Sequence, residues 1–188
     1  MIAMLTRAFF SDPLLRWLYP DDDLYSRYFE RFVYAYGGAP FPHGSGMTYD
    51  DGDGVLSLWH PSGYRLPYED LHACFTETVP EPRLTDVVAV FDEFARLHPK
   101  HPFRYQTFFA RDPLSDHRAF PLLEALVRCS DEEELCIGGD VTSAANVDYH
   151  KKVGTEVLGV VQRGTSHVYY TMLRQVPQSD TRPCAVWC

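Results

Sequence analysis

The chain has 188 residues, 45% of them apolar and 14% aromatic, enough for one domain with a sizeable core. It carries 17 basic and 26 acidic residues, a formal net charge of −9. This balance argues against nucleic acid and anionic membrane as partners, because both need positive surface, and it disfavours a polyanionic cofactor unless a local basic patch compensates.

In chain order, Met1, Leu5 and Phe9 have helical spacing, and Ser11-Asp12-Pro13 ends that segment. It lacks the basic start and long apolar run of a signal peptide. Asp21-Asp22-Asp23 suits the positive end of a helix dipole and opens a helix. Its aromatic face repeats Leu24, Tyr28, Phe32 and Tyr36, flanked by Tyr25, Phe29 and Val33. Gly37-Gly38 stops it, and 39–46 is expected to be loop. Residues 47–49 and 55–59 predict a hairpin turned by Asp51-Gly52-Asp53-Gly54, whose glycines supply positive φ. Helices are expected at 68–78 and 84–97, then a strand at 103–110, a helix near 120–128, a strand at 134–139, a short helix at 144–153 and strands near 156–162 and 167–174. Alternating strands and helices predict an α/β or α+β sheet. Residues 1–176 form one expected domain and 177–188 an irregular tail.

Five scattered cysteines, at 74, 129, 136, 184 and 188, form no Cys-x-x-Cys pair, which suits reduced thiols in a cytoplasmic protein. Cys184 and Cys188 can oxidise or simply lie in a frayed terminus. No apolar run approaches a membrane span. His98-Pro99-Lys100-His101 resembles a two-histidine ligand spacing, but the prolines break helical geometry and no third ligand is nearby, so no metal is expected. Nucleophile-elbow, Walker and dinucleotide fingerprints are absent from the sequence.

Two stretches carry a resemblance. One is AFFSDPLLRWLYPDD followed by an aromatic helix and a strand ending WHPSG. The other is the succession PFRYQTFFARDP, DHRAFPLLEAL, ELCIGGDV and NVDYHKKVG. In order and interval they resemble the GNAT superfamily of acetyl-CoA-dependent N-acetyltransferases, over residues 8–174. The resemblance implies a mixed, mostly antiparallel central sheet flanked by helices. It implies acetyl-CoA or another acyl-CoA as co-substrate and a small-molecule amine as acceptor. The strand that usually precedes the first helix is missing here. The sheet then lacks that edge, or the polypeptide is longer, or a partner covers the edge, as in a homodimer.

The resemblance also implies site residues. Backbone N–H groups at Phe109, Ala110 and Arg111, on a bulged strand, would face the pantetheine arm; a plain core strand is the alternative. The pyrophosphate motif, Gln/Arg-x-x-Gly-x-Gly/Ala, falls on Asp116-His117-Arg118-Ala119-Phe120-Pro121. There consecutive N–H groups and a helix N-terminus would cradle phosphate. Asp116 brings negative charge, Ala119 replaces one glycine, and Pro121 removes a donor. Proline is tolerated at the first helical position, so the helix is expected to begin at Pro121. His117 and Arg118 can still supply positive charge. In NVDYHKKVG, Asn146 and Gly154 match the family pattern, Tyr149 stands where it has Phe, and His150 stands where it has the Tyr that protonates the departing thiolate. A histidine can do acid–base work near neutral pH, or lie on a helix surface. Asp140 can orient or deprotonate the amine, or cap the turn before the helix.

Trp17, Tyr36, Trp59 and Tyr105, with Tyr19 and Tyr64, can line an apolar pocket or pack in the core. Three functions follow. One is acyl transfer to an amine with weakened coenzyme A binding. Another is a repurposed fold doing coenzyme-independent cyclisation, isomerisation or decarboxylation on an apolar or aromatic molecule. The third is a non-catalytic binding protein.

Overall fold

The computed structural model describes residues 1–48, 54–63, 68–163 and 167–175, the side chains of 167 and 168 excepted. The expected turn at 51–53, Tyr64 and the tail at 177–188 with Cys184 and Cys188 lie outside the described residues. The helices are α1 (Ile2–Ala8), α2 (Pro13–Leu18), α3 (Asp22–Gly37), α4 (Pro40–His43), α5 (Tyr68–Thr78), α6 (Leu84–Leu97), α7 (Phe120–Glu132) and α8 (Ala144–Lys151). The strands are β1 (Gly46–Thr48), β2 (Val55–His60), β3 (Arg104–Arg111), β4 (Ile137–Val141), β5 (Glu156–Arg163) and β6 (His167–Arg174). They form one sheet in the order β1-β2-β3-β4-β6-β5. Only the β3–β4 pair is parallel; the other neighbours are antiparallel. The mixed, mostly antiparallel sheet expected from the sequence is therefore present. No strand precedes α1 among the described residues, and β1 forms that edge.

The larger core lies on one face, where α1, α2, α3, α5 and α6 pack against alternate residues of β2 and β3. Leu56 and Leu58 point into this core, while Trp59 joins Leu126, Val127 and Ile137 beneath α7 on the other face. This alternation is the period-two signature of a strand. The burial of α3 follows its predicted stripe: Tyr25, Phe29, Phe32, Val33 and Tyr36 are buried. In α1 the buried residues are Met4 and Leu5, whereas Met1 is exposed.

Local departures from the sequence expectations have simple causes. Asp12 does more than end the first helix. Its carboxylate caps α2 by accepting from the backbone N–H of Leu14 and Leu15 at 3.0 and 3.1 Å, a contribution of about 1 kcal/mol. One turn of helix, α4, interrupts the expected loop and is closed by Gly44 at φ 66°. Helix α7 runs on to Glu132, so β4 starts at Ile137 rather than 134. Phe120 rather than Pro121 is its first residue. Pro121 is second, still inside the turn where a missing N–H leaves no helical bond unmade.

Candidate functional site

Two irregularities in the sheet create the site. The first is a bulge in β3. Leu58 pairs with Phe108 but Trp59 pairs with Gln106, which leaves Thr107 as an extra residue. A bulge shifts side-chain parity by one. Phe108 and Ala110 consequently share the core face with Tyr105. Phe109 is turned to the opposite face, where its ring lies 6.1 Å from both Tyr149 and His150 of α8. The second irregularity is a split. Strands β3 and β4 pair only at Arg104–Ile137 and Tyr105–Gly138 and then diverge. Gly139 stands at the fork, where an added Cβ would lie 2.6 Å from the Gln106 carbonyl oxygen. Only glycine lets the two backbones approach this closely before they separate.

The split opens a cavity of about 100 Å³ that passes through the sheet. Its wall includes Leu14, Leu15, Phe32 and Tyr36 from one face and Leu123, Val127 and His150 from the other. Two carboxylates, Asp12 and Asp140, line it. No Lys or Arg occurs among its described lining residues. Outside it lies a groove of about 690 Å³ bordered by Arg111, Asp116, His117, Arg118, Ala119, Phe120, Tyr149 and Lys152. Phe109, Asn146 and His150 line both spaces.

Asp140 is held from three directions. Its Oδ2 accepts from Tyr105 Oη at 2.6 Å and lies 2.9 Å from His98 Nε2, and its Oδ1 accepts from Thr171 Oγ1 at 2.7 Å. Its side chain is 3% exposed. It does not cap the turn before α8; Ser143 does, accepting from the Asn146 N–H. Tyr105 also bonds the hydroxyl of Tyr36. Burial, and then the nearby Asp140 charge, raise both phenols well above the usual tyrosine value, so both remain protonated. Behind them His60 lies with Nε2 3.0 Å from the Tyr36 carbonyl oxygen, and its ring is stacked on Tyr105. Burial pushes His60 down to about 4.

Asp12 is the acidic group that sequence reading missed as a site residue. Besides capping α2 it accepts a hydrogen bond from Thr142 Oγ1, just after β4. Burial raises its carboxyl above the ordinary range, outweighing these three hydrogen bonds. The Ser-Asp-Pro segment was visible as a helix boundary; only the cavity reveals what else the carboxylate faces.

His150 lies where the two spaces meet. Its Nδ1 is 2.8 Å from the Asn146 carbonyl oxygen. A carbonyl can only accept, so Nδ1 carries the hydrogen. Burial lowers the imidazole below its usual value, and the Asn146 bond offsets this in part. The neutral ring therefore presents a lone pair at Nε2. Tyr149 packs edge-on to Phe120 at 5.4 Å, with Lys152 5.9 Å from its ring centroid.

Among the residues expected from the sequence, Asp140, Asn146 and His150 meet at the cavity, and Phe109, Arg111, His117, Arg118, Ala119 and Tyr149 meet at the groove. Ala110 is buried on the core face and lines neither space. Of the four proposed pocket aromatics only Tyr36 lines the cavity. Trp17 packs beside Tyr169, Trp59 lies under the Arg104 guanidinium, and Tyr105 stands behind Asp140. His98, singled out for a metal-like spacing, is bonded to Asp140 instead.

No protein-family profile matches the chain, and no curated protein matches it in sequence. Solved structures do. A Corynebacterium glutamicum protein described as histone acetyltransferase HPA2 and related acetyltransferase superposes with a TM-score of 0.62 at 17% identity, covering 95% of this chain and 91% of that one. Mosquito arylalkylamine N-acetyltransferase like 5b gives 0.52 at 13% identity, over 92% and 94%. An N-acetyltransferase from Staphylococcus aureus Mu50 gives 0.53 at 11% identity, over 92% of each chain. The chain has a GNAT-like fold.

Proposed function

We propose that this chain transfers an acyl group from an acyl-coenzyme A to a small amine. The observation that carries this reading is the through-sheet continuity of an acidic, aromatic-walled cavity with a basic outer groove. The two meet at Phe109, Asn146 and His150. A cavity lined by two carboxylates and no Lys or Arg among its described residues favours a cationic head group, and its phenyl rings favour an apolar body. The groove supplies Arg111, Arg118 and Lys152 against one acid, Asp116, a local positive patch in a protein of charge −9.

The groove fits a phosphorylated co-substrate in size and charge, with one backbone donor fewer because of Pro121. When bound, an acyl-coenzyme A supplies the thioester carbon that the amine attacks, the C–S bond breaking as the C–N bond forms. The chain's own residues handle the protons. Asp12 is assigned as acceptor of the amine proton, because a buried carboxylate of raised pKa is a stronger base than an exposed one. Asp140, whose two oxygens have three partners, is assigned to positioning. Neutral His150 accepts a hydrogen bond at Nε2, and Tyr149, which borders the groove, is assigned as the proton donor to the departing thiolate.

A second reading is favoured by one feature. The rings of Phe109, Tyr149 and Phe120 form a continuous aromatic bridge between β3, α8 and α7. That suits coenzyme-independent acid–base chemistry on a flat molecule. The deciding experiment is thiol release from acetyl-coenzyme A in the presence of a panel of small alkyl and aralkyl amines, with calorimetry of acetyl-coenzyme A alone. Amine-dependent thiol release supports acyl transfer. Absence of binding at millimolar acetyl- and longer acyl-coenzyme A rejects it in favour of the second reading.

A further inference from the structure

In the polar wall of the inner cavity, the hydroxyl chain from Tyr36 through Tyr105 to Asp140 can be hydrogen-bonded in one sense only. Tyr105 donates its single hydroxyl hydrogen to Asp140 Oδ2, 2.6 Å away. Tyr36 and Tyr105 are bonded hydroxyl to hydroxyl. Since Tyr105 has no second hydrogen, Tyr36 is the donor in that bond. Tyr36 and Asp140 both line the cavity, while Tyr105 stands behind it. The Tyr36 oxygen can then offer a ligand only lone pairs. His98 and Thr171 also bond Asp140, and His60 anchors the Tyr36 backbone, so the arrangement is held from three further places in the chain.

We propose that Tyr36 is a specificity-determining residue: its hydroxyl, locked as an acceptor by Tyr105 and Asp140, takes an N–H of the bound acceptor amine and rejects molecules of the same shape that can only accept. This rests on the amine reading of the cavity. A satisfied core tyrosine would predict no such selectivity, whereas an acceptor with a single possible polarity penalises an acceptor-only ligand by leaving two lone pairs opposed.

The test uses two probes with one carbon skeleton, sec-butylamine and butanone, with dissociation constants measured by ligand-observed NMR on the intact chain without acyl-coenzyme A. Wild type binds the amine more tightly than the ketone. In Tyr36→Phe the preference falls about tenfold through weaker amine binding, the equivalent of one net hydrogen bond. In Tyr105→Phe the preference also falls, but through tighter ketone binding, because the Tyr36 hydrogen is released to the cavity. A structural role alone would weaken both probes together in Tyr105→Phe, and that result overturns the proposal. So does an unchanged ratio in both variants, or a wild-type chain with no preference or no binding of either probe. An amine that binds with this selectivity but supports no thiol release rejects acyl transfer while leaving the assignment of Tyr36 intact.

Discussion

In the inner cavity the acidic and phenolic side chains are held by partners distant in sequence: Asp12 by Thr142, Asp140 by His98, Tyr105 and Thr171, and Tyr36 by Tyr105. In the outer groove, Arg111, Asp116, His117, Arg118 and Ala119 come from one short stretch, joined by Tyr149 and Lys152 of a single helical turn. Arg111, the last residue of β3, donates to the Ser115 carbonyl just beyond it at 2.8 Å. The cavity is thus a network of long-range, directional bonds among buried groups, and the groove is a local patch of charge near solvent. Changes in the first should alter chemistry and pH behaviour. Changes in the second should alter affinity in a salt-dependent way, since only exposed charges are strongly screened.

The largest effect expected is on turnover. Asp12→Asn should lower kcat by at least about 100-fold in a thiol-release assay, the usual scale for losing a general base, with acetyl-coenzyme A affinity unchanged. Because burial raises the Asp12 carboxyl, the acidic limb of wild-type kcat/KM should lie above the ordinary carboxylate range. Loss of coenzyme affinity in this variant would erase the contrast between the two regions.

Next comes stability against pH. The folded His60 value of about 4 is below the unfolded value, so between them the unfolded chain binds more protons. The stability contributed is present above the unfolded value, near 6.5, and is lost as pH falls toward 4. The loss should reach at most about 3 kcal/mol in urea titrations. His60→Gln should flatten that dependence.

In the groove, Arg118→Ala with Lys152→Ala should weaken acetyl-coenzyme A binding about tenfold at low salt and less at high salt, with kcat for bound substrate preserved. The smallest effect is the most local. Pro121→Ala restores one N–H in the first turn of α7 and should tighten acetyl-coenzyme A about threefold by calorimetry, the scale of one exposed hydrogen bond. No change would mean that the lost donor is irrelevant to the groove.

Most of the fold was legible because its signals are short-range. The aromatic stripe of α3 and the acids at its start both appear within one element. His117 and Arg118 were visible for the same reason, as neighbours in one short stretch. Asp140 and His150 were visible as candidates but not in role. Their neighbours Tyr105, His98 and Asn146 act through contacts that no spacing encodes, apart from the i, i+4 bond of His150 to Asn146. Trp17 and Trp59 line neither space, because aromatic character alone cannot say which face of an element a residue will occupy. In β3 a single extra residue, Thr107, reverses that face for everything after it.

By itself the sequence determined the succession of helices and strands and the GNAT-like character of the fold, both consequences of local propensity and chemical identity. Tertiary structure alone decided that Asp12 faces the cavity, that Asp140 is bound on both oxygens, and that the Tyr36 hydroxyl can point only one way. These depend on the fork between β3 and β4, where two glycines and one bulge bring distant polar groups within hydrogen-bond reach. Burial then removes the water that would otherwise have satisfied them in any orientation.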